Sequence, residues 1–206
     1  MSTFENVSIC DSPLSCLDDS KLIYTPFYCE ENIYKLCETV KSEQIDQLKN
    51  CYAVFISNQH EHIPLWGQKV GRQTEEFLVI WDYHVIMIHL ENNTSRVYDF
   101  DSVLPFPVSG KHYFDLVLRH CRIKDTYQYQ FRVINAEDYL QTFASDRSRM
   151  KDNDGNYLKP PPAYECIRTE NETNNLNKFI SMETQHFQVG EIMSWNQMKQ
   201  LFVTSQ

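Results

Sequence analysis

The chain has 206 residues, enough to bury one sizeable core, and its content (42% hydrophobic, 13% aromatic, 23% charged) is that of an ordinary globular protein. A formal net charge of −9 opposes nonspecific attachment to nucleic acid or to an anionic membrane surface. Five glycines and eight prolines exclude a fibrous or low-complexity chain.

Seven cysteines stand at 10, 16, 29, 37, 51, 121 and 166. No Cys-x-x-Cys occurs, which argues against a zinc ribbon or a thioredoxin-like motif. The segment from Met1 to Asn6 is acidic and lacks the apolar stretch of a secretory signal. No apolar run approaches the ~18 residues of a membrane span. The expectation is a reduced, intracellular protein. Residues 1–20 are polar and aperiodic and read as a flexible lead-in; 21–206 read as one domain.

A helix is predicted from about Cys29 to Lys41, because Ile33, Leu36, Cys37 and Val40 recur at helical spacing. Cys29 lies four residues before Ile33 and shares its face. Residues 51–57 form a continuous run of strand formers, read as a buried strand. Residues 63–66 suit an edge strand, since Pro64 cannot donate to a ladder, and 67–76 suit a loop. Residues 77–90 are fourteen strand formers without a turn signal, some 46 Å at 3.3 Å per residue; a bulge or bend is expected near Asp82–His84. A turn at 91–95 returns the chain into a strand over Arg96–Asp101. Then follow a helix over His112–Arg122, a strand over Tyr129–Ile134, a short helix over Glu137–Phe143 and a long loop over Lys151–Pro162. Helices over Leu176–Met182 and Ile192–Val203 finish the chain, Ser194 being the N-cap before Trp195. The class is α+β.

One constellation carries chemistry. A cysteine in the first turn of a helix meets unpaired N–H groups and a dipole that favour the thiolate. Across a hairpin with an even loop, residues whose numbers sum to an odd value share a face. This puts His84 and Asp99 together, with Asp101 and Asp82 on the same face. A helix packed on that face would bring Cys29 to them and complete a Cys–His–acid nucleophilic set. Spacing alone leaves Asp99, Asp101 and Asp82 open as the orienting acid.

Each residue also has a plainer role. Cys29 could be a small core residue, His84 a satisfied core histidine, and Asp99 a turn cap. His89 has the opposite parity and, with His60 and His62, reads as a surface residue. His60-Glu61-His62 offers three liganding side chains but no fourth partner, a weak metal signal. Cys37 and Cys51 read as core.

The chain resembles the protein N-terminal glutamine amidohydrolase family. The similarity is carried by residues 28–38 (Tyr-Cys-Glu-Glu-Asn-Ile-Tyr-Lys-Leu-Cys-Glu), 51–58 and Ile80-Trp-Asp-Tyr-His84, and further by 98–107, 143–152, Pro160-Pro-Pro-Ala-Tyr164 and 175–182. It runs from about Tyr24 to Phe202. The resemblance implies Cys29 as nucleophile, His84 as base and acid, and Asp99 as orienting acid. It implies a single-domain α/β/α sandwich with a mainly antiparallel sheet, similar to papain and transglutaminases. The implied reaction is deamidation of N-terminal glutamine on proteins and peptides, releasing ammonia through a thioester within the N-degron pathway; a thiol protease or a transglutaminase would use the same three residues. Glu30, Glu31 and Asp82 stand near enough to receive the substrate's α-ammonium. No cofactor, metal, nucleic acid or membrane is implied. The expected setting is a monomer in the cytoplasm, with the nucleus as a second compartment. The chain departs from the family in its N-terminal segment, in Gly67–Glu76 and in Glu183–Gly190.

Overall fold

The structure is a computed structural model that describes residues 19–185 and 187–203 together with Phe4, Leu14 and Leu17. In chain order its elements are α1 (Cys29–Glu43), α2 (Ile45–Leu48), β1 (Cys51–Ser57), β2 (Ile63–Leu65), β3 (Val79–Trp81), β4 (His84–Glu91), β5 (Thr94–Tyr98), β6 (Val108–Ser109), α3 (Gly110–Tyr113), β7 (Gln130–Asn135), α4 (Ala136–Thr142), α5 (Leu176–Ile180), β8 (Glu191–Ser194) and α6 (Trp195–Phe202). Six strands form one sheet in the order β6-β5-β4-β1-β7-β8, and every pairing is antiparallel. β2 and β3 make a separate two-stranded ribbon, as suits a strand carrying Pro64.

β1 lies inside the sheet, and alternate residues feed two cores. Ala53 and Phe55, with Val85 and Met87 of β4, pack beneath Ile33, Leu36, Cys37 and Val40 of α1, Tyr139 of α4 and Phe179 of α5. Val54 and Ile56, with Ile86 and Ile88, face Tyr113 of α3 and Met198 and Phe202 of α6. Both faces of β1 are covered, which is why its sequence is a continuous apolar run rather than an alternation. The architecture is α+β, with helices on both sides of an antiparallel sheet. No helix among the described residues is long and apolar enough to cross a membrane.

The long run 77–90 breaks at Asp82-Tyr83, where the bend was expected, into two strands of different sheets. The hairpin turn is two residues, Asn92 and Asn93, both at positive φ (49° and 61°), a conformation asparagine tolerates and primed hairpin turns require. β5 ends at Tyr98, so Asp99 and Asp101 lie just beyond the strand predicted to hold them. The predicted helix 112–122 starts earlier, at Gly110, with Ser109 as N-cap; it runs on as a π-turn over Phe114–Leu118 and is interrupted by Arg119 in the left-handed region (φ 42°). The last predicted helix splits into β8 and α6. Ser194 does cap α6, in a capping box with Gln197.

One surface expectation changes. His89 is fully buried, because α1 and α2 cover the face of β4 that parity assigned to solvent, and its Nε2 meets Gln47 Oε1 at 3.0 Å. Cys121, within the predicted helix 112–122, is exposed. The lead-in expected over 1–20 lies largely outside the described residues, as do Cys10 and Cys16. Within it Phe4 is buried against Phe77 and the Arg119 guanidinium, and Leu14 joins the α1-side core.

Candidate active site

Three separate stretches of chain converge where α1 begins and β4 begins. Cys29 is the first residue of α1, so its amide belongs to the orphan donors of the helix start. The preceding segment is pinned by Asn32, whose side-chain amide both donates to Thr25 O (2.9 Å) and accepts from Thr25 N–H (2.8 Å). Tyr28, fully buried, donates from its hydroxyl to Lys159 O. These contacts hold the cysteine between a fixed turn and a packed helix.

His84 is the first residue of β4. Its Nε2 lies 2.9 Å from Asp99 Oδ1 in a fully buried contact. Asp99 is saturated: Oδ1 also accepts from the Asp101 N–H (2.9 Å) and Oδ2 from the Tyr113 hydroxyl (2.8 Å). The Trp81 indole stacks on the imidazole at 5.8 Å and 19°. A cavity of about 180 Å³ is lined by Cys29, His84 and Asp101 together with Phe27, Trp81, Asp82, Tyr83, Arg149 and Met150. Parity brought His84, Asp99 and Asp101 together correctly, and their ligand atoms lie within 4.8 Å of one another. The route to Cys29 differs from the expected one. α1 packs on the face of Val85 and Met87, opposite in alternation to His84; cysteine and histidine meet at the strand's end, where the Asp82-Tyr83 bend opens the cavity.

Electrostatics set the resting protonation. Burial pushes the Cys29 thiol well above its ordinary value, and the neighbouring Glu30 and Asp101 carboxylates push the same way; the Val85 N–H directed at the sulfur opposes them. Burial and these acids thus oppose the thiolate that the helix start favours. Desolvation pulls His84 down, but the Asp99 carboxylate outweighs it and leaves the imidazole above its usual value. Burial would raise Asp99, yet His84 and the N–H and O–H donors hold it below the usual range.

The acids singled out for an α-ammonium lie in three different places. Glu31 is fully buried and held by Arg147, Nε to Oε1 at 2.9 Å and Nη2 to Oε2 at 2.8 Å. Glu30 is buried beside Cys29, 3.6 Å from its Sγ and 2.9 Å from the Tyr83 hydroxyl, and burial lifts its carboxyl to about 7. Asp82 lines the cavity, but its Oδ2 is paired with Arg149 at 2.8 Å. Glu61 shares that arginine, and His62 Nδ1 contacts the His60 carbonyl. Sequence reasoning did not find Arg147 or Arg149. The signal available was chemical: acids placed in a core or at a cavity wall need cations, and Asp146-Arg147-Ser148-Arg149 supplies one for Glu31 and one for Asp82. His84, Asp99 and Asp101 would make a cation-binding set of one imidazole and two carboxylates, but His84 Nε2 and Asp99 Oδ1 are engaged with each other.

A sequence model described as N-terminal glutamine amidase matches residues 24–202. The chain belongs to the N-terminal glutamine amidase family. It is 46% identical over 166 residues to "Protein N-terminal glutamine amidohydrolase" of Danio rerio, covering 80% of this chain and 81% of the relative. It is 47% identical over 163 residues to the protein of the same name from Homo sapiens, 78% of each chain. A relative of that name from Oryza sativa subsp. indica is 45% identical over 174 residues, covering 81% of this chain and 75% of the other. The chain is thus a hydrolase of the N-terminal glutamine amidase family, and the family match takes in Cys29, His84, Asp99 and both arginines.

Proposed function

We propose that this chain deamidates the side chain of N-terminal glutamine on proteins and peptides, with Cys29, His84 and Asp99 as the catalytic set. Family membership supports the reaction. The observation that carries the residue assignment is the buried 2.9 Å contact of His84 with Asp99 at the wall of a cavity that Cys29 also lines. With Nε2 taken by Asp99, Nδ1 is the nitrogen left for the thiol. It removes the proton as sulfur attacks the amide carbon, and Asp99 stabilises the imidazolium. The developing oxyanion is offered the Cys29 amide at the start of α1. His84 then protonates the departing nitrogen, which leaves as ammonia, and a thioester remains. Water, activated by the neutral imidazole, hydrolyses the thioester to glutamate and regenerates the thiol.

A helix-borne cysteine set against an antiparallel sheet that carries the histidine is the arrangement we relate to papain and transglutaminases. An N-terminal glutamate product would feed arginylation and degradation in the N-degron pathway. The setting proposed is a monomer acting in the cytoplasm and nucleus on protein and peptide ends, without nucleic acid, membrane, metal or cofactor. The test is ammonia release from peptides that begin with Gln, Asn or acetyl-Gln. Release from the Gln peptide alone is expected, since one missing methylene withdraws the carbonyl from the sulfur. Equal rates on acetylated or internal glutamine, or acyl transfer to lysine, would move the assignment to the transglutaminase class.

A further inference from the structure

We propose that Asp101 is the specificity-determining carboxylate that receives the substrate's α-ammonium. This rests on the N-terminal-glutamine reading and adds to it the group by which a free chain end is told from an internal or acetylated one. A buried site that selects a cation must present an acid not already neutralised by a fixed partner. Four of the five acids around the cavity fail that requirement. Glu31 is clamped by Arg147, Asp82 is paired with Arg149, and Asp99 spends both oxygens on His84, Tyr113 and a backbone amide. Glu30 is 2% exposed, forms no part of the cavity wall, and has its Oε2 between the Tyr83 hydroxyl and the sulfur.

Asp101 differs on each count. It lines the cavity beside Cys29 and His84 and is 5% exposed. Its Oδ1 accepts from the Tyr24 hydroxyl at 2.7 Å, which orients the carboxyl while leaving Oδ2 for a ligand. Among the described residues it forms no ion pair; the neighbouring Lys69 ammonium donates instead to Phe100 O at 2.7 Å. Burial lifts its carboxyl above the ordinary value, so an arriving ammonium would relieve an unfavourable charge.

The reach fits the chemistry. In glutamine the α-nitrogen is four bonds from the amide carbon, about 5 Å when extended. A ligand oxygen of Asp101 lies within 4.8 Å of a ring nitrogen of His84, the group that must protonate the departing nitrogen. That separation is of the same order as the length of one glutamine residue laid between Asp101 and His84. Amides lacking the ammonium would leave Asp101 buried and unpaired, a rejection that costs more than a missing contact.

The experiment compares two peptides on the full chain: one beginning with glutamine, and its desamino isostere beginning with a 5-amino-5-oxopentanoyl group. Wild type should prefer the glutamine peptide in kcat/KM by about 10²-fold or more. Asp101→Asn, isosteric and still able to accept from Tyr24, should lose about 10²-fold on the glutamine peptide and no more than several-fold on the isostere, so that the preference collapses. Tyr24→Phe should shift the ratio the same way by less. Equal losses on both peptides, or a preference that persists in Asp101→Asn, overturns the assignment, as does a collapse produced by Glu30→Gln instead. Wild type that releases no ammonia from the glutamine peptide would overturn the activity itself, an outcome distinct from an active wild type with an indifferent Asp101.

Discussion

Arg147 grips Glu31 with two parallel bonds at a site where the glutamate has no solvent contact and the arginine is 6% exposed. Glu31 follows Cys29 by two residues, so this pair anchors the first turn of α1 to the loop after α4. Breaking a buried pair from one side leaves an uncompensated charge, which typically costs about 3–5 kcal/mol. Arg147→Ala should therefore lower the urea unfolding free energy by that amount. A loss below about 1 kcal/mol would show that water reaches the site.

Cys29→Ala and Cys29→Ser should each abolish ammonia release while leaving the unfolding midpoint near wild type, because the residue supplies a reacting atom rather than core volume. Cys37→Ala, at a fully buried position, should instead keep activity and cost about 1–2 kcal/mol. An alkylating reagent should modify the exposed Cys121 without consequence and Cys29 with loss of turnover, substrate protecting only the latter. Dialysis against a chelator should leave turnover unchanged. Full activity in folded Cys29→Ala would refute the nucleophile.

The pH profile should report His84. In the proposed mechanism neutral imidazole takes the thiol proton, so kcat/KM should fall as pH drops through the His84 pKa. Desolvation lowers that pKa and the Asp99 carboxylate overrides it. Asp99→Asn removes the override, so the acidic limb should move to lower pH, while the plateau drops by about 10²–10⁴ as the imidazole loses its orienting acceptor. The pair's stabilisation follows the same signs. His84's share is complete below its unfolded value and lost as pH rises through the raised folded value. Asp99's share is present above its unfolded value and lost as pH falls through the depressed one. An acidic limb unmoved in Asp99→Asn would mean that another group titrates.

Glu30 should make the fold less stable in mild alkali. Its carboxyl is raised from 4.5 to about 7, chiefly by burial, so between those values the folded chain holds a proton that the unfolded chain has released. Stability then falls as pH rises across that window, by on the order of 3 kcal/mol in total. Glu30→Gln retains an acceptor for Tyr83 and removes the titration. Its unfolding free energy should exceed wild type by more at pH 8 than at pH 5, and an equal difference at both would contradict the assignment.

The local signals served where one element decides its own conformation. Helical spacing from Cys29 to Val40, the apolar run of β1 and the Ser194 cap all needed only neighbours, and the structure has each of them. Strand parity extended that reach to the His84–Asp99 contact, because a two-residue turn preserves it. What stayed hidden depends on distant chain. β8 is four residues on a sheet edge, too short to show alternation against the helix that follows. His89 looked exposed because nothing local tells that α2 lies over it. Arg132, fully buried, donates to the carbonyls of Phe179, Ser181, Glu183 and Val189, and no periodicity announces a cation that organises 47 to 57 residues downstream. The forces on the Cys29 sulfur are hidden for a similar reason: the helix start is visible in sequence, the burial and the surrounding acids are not.

The two asparagines of the β4–β5 turn also determine how the chain tolerates changes of length. Partner positions in that hairpin sum to a constant, as in Met87 with Tyr98 and Glu91 with Thr94. One residue added or removed between Glu91 and Thr94 would reverse the facing of one strand relative to the other and carry Asp99 away from His84. The Asp152–Asn156 turn, solvent-facing and closed on itself by the Asp152 carboxylate, joins only the isolated bridge of Lys151 with Tyr157 and sets the register of no strand in the main sheet. Insertions and deletions should therefore be accepted at Asp154-Gly155 and refused at Asn92-Asn93, although both are short, polar loops.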